Sequence, residues 1–281
     1  MNKVLLSTFV FLSALQFTIA QNNFKNKIDT AIGKAFKYIE NEKYNFSKDI
    51  FFQYLYMLKN NNLNSDTDID RYASGLDSLD YKEFYALYDI IRTGNTKDRD
   101  CLYSDTIPFM NLFFQVMFIK TDSLSKDFFN SLEKVSKEGD YQLTHCYLSL
   151  TELKKNTKYL NKSQIKSLYF HHSILEKKIF NDIILKLPWD FTNSDIKTEA
   201  IDLLLMNKRS DLIKSTEIHK ILSSQRKEGY WFIIDNNIEN TDTTIASNVR
   251  YKEALKENFE FAKEHISLLV IDLLLNYKMQ K

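Results

Sequence analysis

Glycine and proline are scarce, with five and two in a chain of 281 residues. A β-sandwich or barrel needs that turn chemistry at every hairpin, so an all-β architecture is excluded. Cysteine is limited to Cys101 and Cys146, which excludes a disulfide-rich scaffold and any site built from several thiolates. Two readings of the pair stay open: two buried thiols, or a bridge whose loop closure contributes roughly 4 kcal/mol. An excess of one charge is also missing, since 38 basic residues face 37 acidic ones. Phosphate-rich partners are held by net positive charge, so nucleic acid is not expected as a partner. No nucleophile elbow, phosphate-binding loop or dinucleotide glycine pattern occurs. The five histidines, His145, His171, His172, His219 and His265, include no pair at the spacing of a helical zinc site, and no metal or cofactor is assigned. Asp66, Asp68 and Asp70 alternate as in a calcium loop, but Arg71 and Asp77 stand where that loop needs glycine and glutamate.

What is present begins at the N-terminus. Met1 to Ala20 has one cation, Lys3, then an uncharged stretch from Val4 to Ala20 with small Ala20 at its end. This is the pattern of a secretory signal, and cleavage is expected after Ala20. The expected division is a signal peptide over 1–20 and one all-α domain over 21–281, secreted or periplasmic. No second apolar run is long enough to span a bilayer.

Apolar residues then recur at helical spacing. Ile28, Ile32, Ala35, Phe36 and Ile39 share one face, and Ser47 opens a second run with Ile50, Phe51, Tyr54, Leu55 and Leu58. Further helices are predicted over about 80–93, 105–119, 125–138, 142–155, 163–186, 194–206, 215–228 and 250–278, with short connections that favour antiparallel neighbours. Segments 125–141 and 215–231 are similar to each other. Each starts with a serine placed to cap a helix, and each ends in Lys-Glu-Gly followed by an aromatic residue. Their glycines, Gly139 and Gly229, lie 90 residues apart, and Gly94 lies 45 before Gly139. All three suit the left-handed residue that closes a helix. A period near 45 residues is one helix-turn-helix unit, so the expected fold is a helical-hairpin repeat.

Gln225-Arg226-Lys227-Glu228-Gly229-Tyr230-Trp231 resembles the QW motif of the terpenoid cyclase and protein prenyltransferase α/α toroids. The resemblance implies a ring of inner and outer helices in which Trp231 ties adjacent hairpins together; an open α-solenoid is the alternative arrangement. Thr144-His145-Cys146-Tyr147 and His265-Ile266-Ser267-Leu268 are similar to the starts of inner helices in that family. The family's catalytic signatures are missing: there is no D-x-D-D, and no cysteine precedes His265 in the neighbouring unit.

Equivalent repeat positions would aim His145 and His265 at a central cavity, and the aromatics Tyr141, Tyr147, Tyr230 and Trp231 at turns and inner-helix starts would line it. The expected function is a non-catalytic binding or interaction module for a glycan, lipid or peptide. The alternatives are an α/α-toroid enzyme acting on polysaccharide or isoprenoid, and a solenoid scaffold. A pair of catalytic carboxylates need not be close in sequence, so none is selected among the acids.

Overall fold

The structure, a computed structural model, describes residues 2–63, 69–99, 102, 107–190, 193–232 and 249–280. Among these there are eleven α-helices and no strand. They are α1 (Asn2–Glu42), α2 (Lys48–Asn60), α3 (Ile69–Ala73), α4 (Ser78–Thr93), α5 (Pro108–Met117), α6 (Phe128–Val135), α7 (Asp140–Lys155), α8 (Lys162–Lys178), α9 (Ser194–Met206), α10 (Ser215–Ser223) and α11 (Val249–Met279). No helix among the described residues is long and apolar enough to cross a membrane. Asp66, Asp68 and Cys101 lie outside the described residues; Cys146 is a free, buried thiol.

Local chemistry accounts for the helix ends. The Ser47 hydroxyl accepts from the Ile50 amide at 3.5 Å and starts α2, and Asn62 in the left-handed region (φ 53°) follows its end. Asn161 and Gln164 form a reciprocal capping box at the start of α8. Such a box satisfies two amides that the helix leaves without partners. The expected caps at Ser125 and Ser215 do not form. Helix α6 starts three residues after Ser125, and α10 includes Ser215 itself, with no side-chain cap on either helix. Gly94 and Gly229 do have positive φ, at 77° and 109°. Gly139 is not left-handed: at φ 162° it is extended and stands as the first flanking residue of α7.

Packing is organised by α7, α9 and α11. Helix α9 packs on α11 and α7, α7 on α5 and α8, and α11 also on α1 and α2, while α2 packs on α4. The core is continuous through these contacts and includes Phe51, Tyr54, Leu132, Tyr147, Leu204, Trp231 and Leu274, each almost fully buried. A smaller cluster of Leu87, Ile90, Phe113, Phe114 and Phe118 joins α4 to α5. The middle of α1 meets the C-terminal turns of α11. Lys278 pairs with Asp29 at 2.6 Å, and Phe24 sets its edge against the Tyr277 ring.

The segment Gln225 to Trp231 fastens this junction. The Gln225 amide donates to the Ala31 carbonyl of α1 at 2.8 Å and to Gly229 at 2.9 Å. Trp231 is completely buried; its backbone amide donates to the Ser267 hydroxyl of α11 at 2.9 Å and its indole to the Ile221 carbonyl of α10 at 2.7 Å. Gly229 lies so close to α1 that a Cβ there would stand 2.4 Å from the Lys34 carbonyl oxygen.

Candidate functional site

Helices α2, α5, α7, α9 and α11 border one cavity of about 480 Å³, with α4 adding Glu83 and Leu87. The helical repeat sets which residues reach it, because positions i, i+3, i+4 and i+7 share a face. Helix α2 presents Asp49, Phe52, Gln53 and Tyr56; α7 presents Tyr141, His145 and Leu148; α9 presents Glu199, Asp202, Leu203 and Met206; α11 presents His265, Leu268, Leu269 and Asp272. Phe109, Met110, Phe113 and Phe114 come from α5.

The lining divides by chemistry. Helices α9 and α11 supply carboxyls, while α5 and part of α2 supply aromatic rings. His265 joins three helices: its Nδ1 lies 2.6 Å from the Gln53 side-chain oxygen, and its Nε2 lies 3.0 Å from an Asp195 carboxylate oxygen. The Asp195 carboxylate beside the ring favours its protonated, cationic form. Burial works against that charge, but Asp195 and then Glu199 outweigh it and hold the His265 pKa above its ordinary value. Burial likewise favours a neutral Asp195, and the His265 cation reverses this, so Asp195 stays below the usual carboxylate range.

Glu199 is one turn farther along α9. It accepts from the Thr144 hydroxyl at 2.8 Å and lies 3.5 Å from His145 Nδ1. That nitrogen also meets the Tyr141 carbonyl at 2.9 Å, which can only accept, so the proton sits on Nδ1. Burial raises the Glu199 pKa, and the neighbouring His145 only partly offsets the effect. One further turn on, Asp202 faces Asp272 of α11. Burial and then the Asp272 charge push Asp202 well above the carboxylate range. Burial pushes Asp272 up to about 6, against hydrogen bonding from Asn61 and the charge of Lys155. This is a carboxyl pair that retains a proton. Among the described residues no group of three His, Cys, Asp or Glu side chains is placed to hold a metal ion.

Of the residues selected from the sequence, Tyr141, His145 and His265 line the cavity. Tyr147, Tyr230 and Trp231 are not part of its lining. Tyr147 points back toward α8, donating to Glu176 at 3.1 Å and packing on His172. Tyr230 packs on Tyr38 with the Lys263 ammonium over its ring, and Trp231 belongs to the core. The acids Glu199, Asp202 and Asp272 were not selected, although a signal for two of them existed. Ile201-Asp202-Leu203-Leu204-Leu205 and Ile271-Asp272-Leu273-Leu274-Leu275 are the same pentapeptide. An aspartate inside an aliphatic run is a charge on a core-facing helix, and its repetition marks two helices that meet.

The chain matches no family model, no curated protein and no solved structure. The cavity's own chemistry therefore carries the functional argument. A buried set of carboxyls with displaced pKa values in a concave, partly apolar site is the pattern of a ligand or reaction centre.

Proposed function

We propose that the protein is an exported binding module, built as an α/α toroid, whose central cavity takes a small ligand with a polar end and an apolar body. The observation that carries this reading is the divided cavity, with carboxyls from α9 and α11 and rings from α2 and α5 on one space of about 480 Å³. That volume falls within the roughly 300–1,000 Å³ of small-molecule sites. The ring is supported by the five lining helices and by the meeting of α1 with α11 at Asp29 and Lys278. Export is supported by the composition of Met1 to Ala20. Saturation-transfer NMR with a library of small amphipathic molecules tests the binding reading. Hits should be lost in Leu148→Trp, which fills the cavity, while circular dichroism shows the helical fold retained. Hits that persist in that variant would place binding elsewhere and remove the proposal.

One observation favours a second reading, an enzyme on the same cavity. Glu199 is a buried carboxyl with a raised pKa beside an imidazole, the environment that prepares a general acid. Glu199→Gln should then abolish turnover of any substrate found while leaving its binding within a few fold; undiminished turnover rules Glu199 out.

A further inference from the structure

Resting on the reading of the cavity as a binding site, we infer that its ligand is an organic cation: an ammonium group seated among Glu199, Asp202 and Asp272, carried on a compact apolar body that lies against the rings of Phe52, Phe109 and Phe113.

Charge accounting on the cavity wall leads there. Five acids border the space, Asp49, Glu83, Glu199, Asp202 and Asp272, against one lysine, Lys48. That lysine is already engaged by Asp80 at 2.8 Å and Glu83 at 2.5 Å. The His265 cation is engaged by Asp195. Asp202 and Asp272 are bonded by neutral amides, those of Asn276 and Asn61, with the charges of Lys155, Glu152 and Glu199 acting on them from α7 and α9. An anionic ligand would meet repulsion here, and a neutral one would leave the carboxyl crowding as it stands.

Two further features fit an ammonium. Tyr56 lines the same cavity, and its buried hydroxyl lies beside Glu152 and Asn60. It offers a lone pair to a ligand N–H. The rings of α5 and α2 provide apolar area for the body and negative π faces for the charge, a combination that favours cations over isosteric neutral molecules. Carboxyls crowded by burial and mutual repulsion are what an incoming cation relieves: the ligand's charge replaces the proton shared by Asp202 and Asp272, which leaves to solvent.

Isothermal titration calorimetry on the purified protein tests this with three probes of one shape: phenethylammonium, 2-phenylethanol and phenylacetate. Phenethylammonium should bind on the order of tenfold or more tighter than the alcohol, and phenylacetate not at all. At pH 6 the heat of amine binding should depend on the ionisation enthalpy of the buffer, in the sense of proton release. The double variant Asp202→Asn, Asp272→Asn should lose tenfold or more in amine affinity and the buffer dependence, with alcohol affinity held. Equal or tighter binding of the alcohol or the acid overturns the cation while leaving the cavity as a binding site. Amine binding unaffected by both the double variant and Leu148→Trp overturns the cation's placement, and failure of all three probes to bind a folded protein overturns both readings.

Discussion

Asp202 of α9 and Asp272 of α11 share one amide: Asn276 Nδ2 donates to Asp202 Oδ1 at 2.8 Å and lies 3.2 Å from Asp272 Oδ1. Two carboxyls so close, both buried, do not ionise together, and the folded protein keeps a proton that the unfolded chain releases.

That linkage has a sign. A carboxyl whose folded pKa is raised binds more protons folded than unfolded, so stability falls as pH rises from about 4, where the unfolded carboxyl ionises, toward the Asp272 value of about 6. A displacement of this size corresponds to roughly 3 kcal/mol. Asp272→Asn should lessen the fall, leaving the part that burial of Asp202 causes, so that the variant gains on the parent between pH 4 and 6 and keeps the gain at pH 7. Urea unfolding followed by circular dichroism at pH 4, 5, 6 and 7 measures it. Parallel curves for parent and variant would mean that the pair is not coupled to folding.

His172 acts in the opposite direction. Burial, reinforced by the Lys154 ammonium 3.3 Å away, lowers its pKa to about 4 against the hydrogen bond of Asn207 at 2.9 Å. The unfolded chain takes up a proton below about 6.5 that the folded ring refuses, so stability is lost as pH falls from about 6.5 to 4. His172→Gln, which keeps a partner for Asn207, should reduce that loss. In NMR the His172 ring proton should show no titration shift until the pH drops below 5, and an ordinary midpoint near 6.5 would refute the assignment.

Much of this architecture is legible in the sequence, for reasons that differ by element. Helix α9 is read to the residue, 194–206, because the aliphatic positions from Ile196 to Met206 follow the helical period and connections flank both ends. The serines at 125 and 215 mislead because capping depends on backbone geometry at one residue, and here each helix begins elsewhere. Helix α3 is missed because five residues are too few to show a period. At the site, Tyr141 and His145 are found because they open α7, and His265 because a leucine-rich run follows it, although it stands midway along α11 rather than at a helix start. Tyr147 is two positions from His145, about 200° around α7, and so faces away. The acids of α9 and α11 escape because a single aspartate carries no signal until its repeated pentapeptide is noticed.

Two glycines should respond oppositely to alanine. At Gly229, φ is 109° and a Cβ would meet the Lys34 carbonyl oxygen at 2.4 Å, so the new methyl forces α1 away from the Gln225 to Trp231 segment. Gly229→Ala should cost about 2–4 kcal/mol. Gly33 lies within α1 with nothing within 4 Å of its added Cβ, and Gly33→Ala should stabilise by roughly 0.5–1 kcal/mol. Thermal unfolding of the two variants side by side decides the matter; equal effects would argue that α1 is not pressed on Gly229.

Trp231 separates a structural role from a ligand-binding one. Its ring is buried in the core and its indole N–H donates to the Ile221 carbonyl, while its backbone amide depends on the Ser267 hydroxyl, which in turn donates back to Lys263 at 2.6 Å. Trp231→Phe removes one of the two donors to the Ile221 carbonyl, leaving the Ser224 amide at 3.2 Å, and opens a small void, so it should cost about 2–3 kcal/mol. Ser267→Ala removes the acceptor of a buried amide and should cost about 1–3 kcal/mol. Neither side chain lines the cavity, so at a temperature where both variants are folded, phenethylammonium affinity should stay within about twofold of the parent. A variant that keeps its melting temperature but loses affinity would move Trp231 from the junction of α1, α10 and α11 to the binding surface.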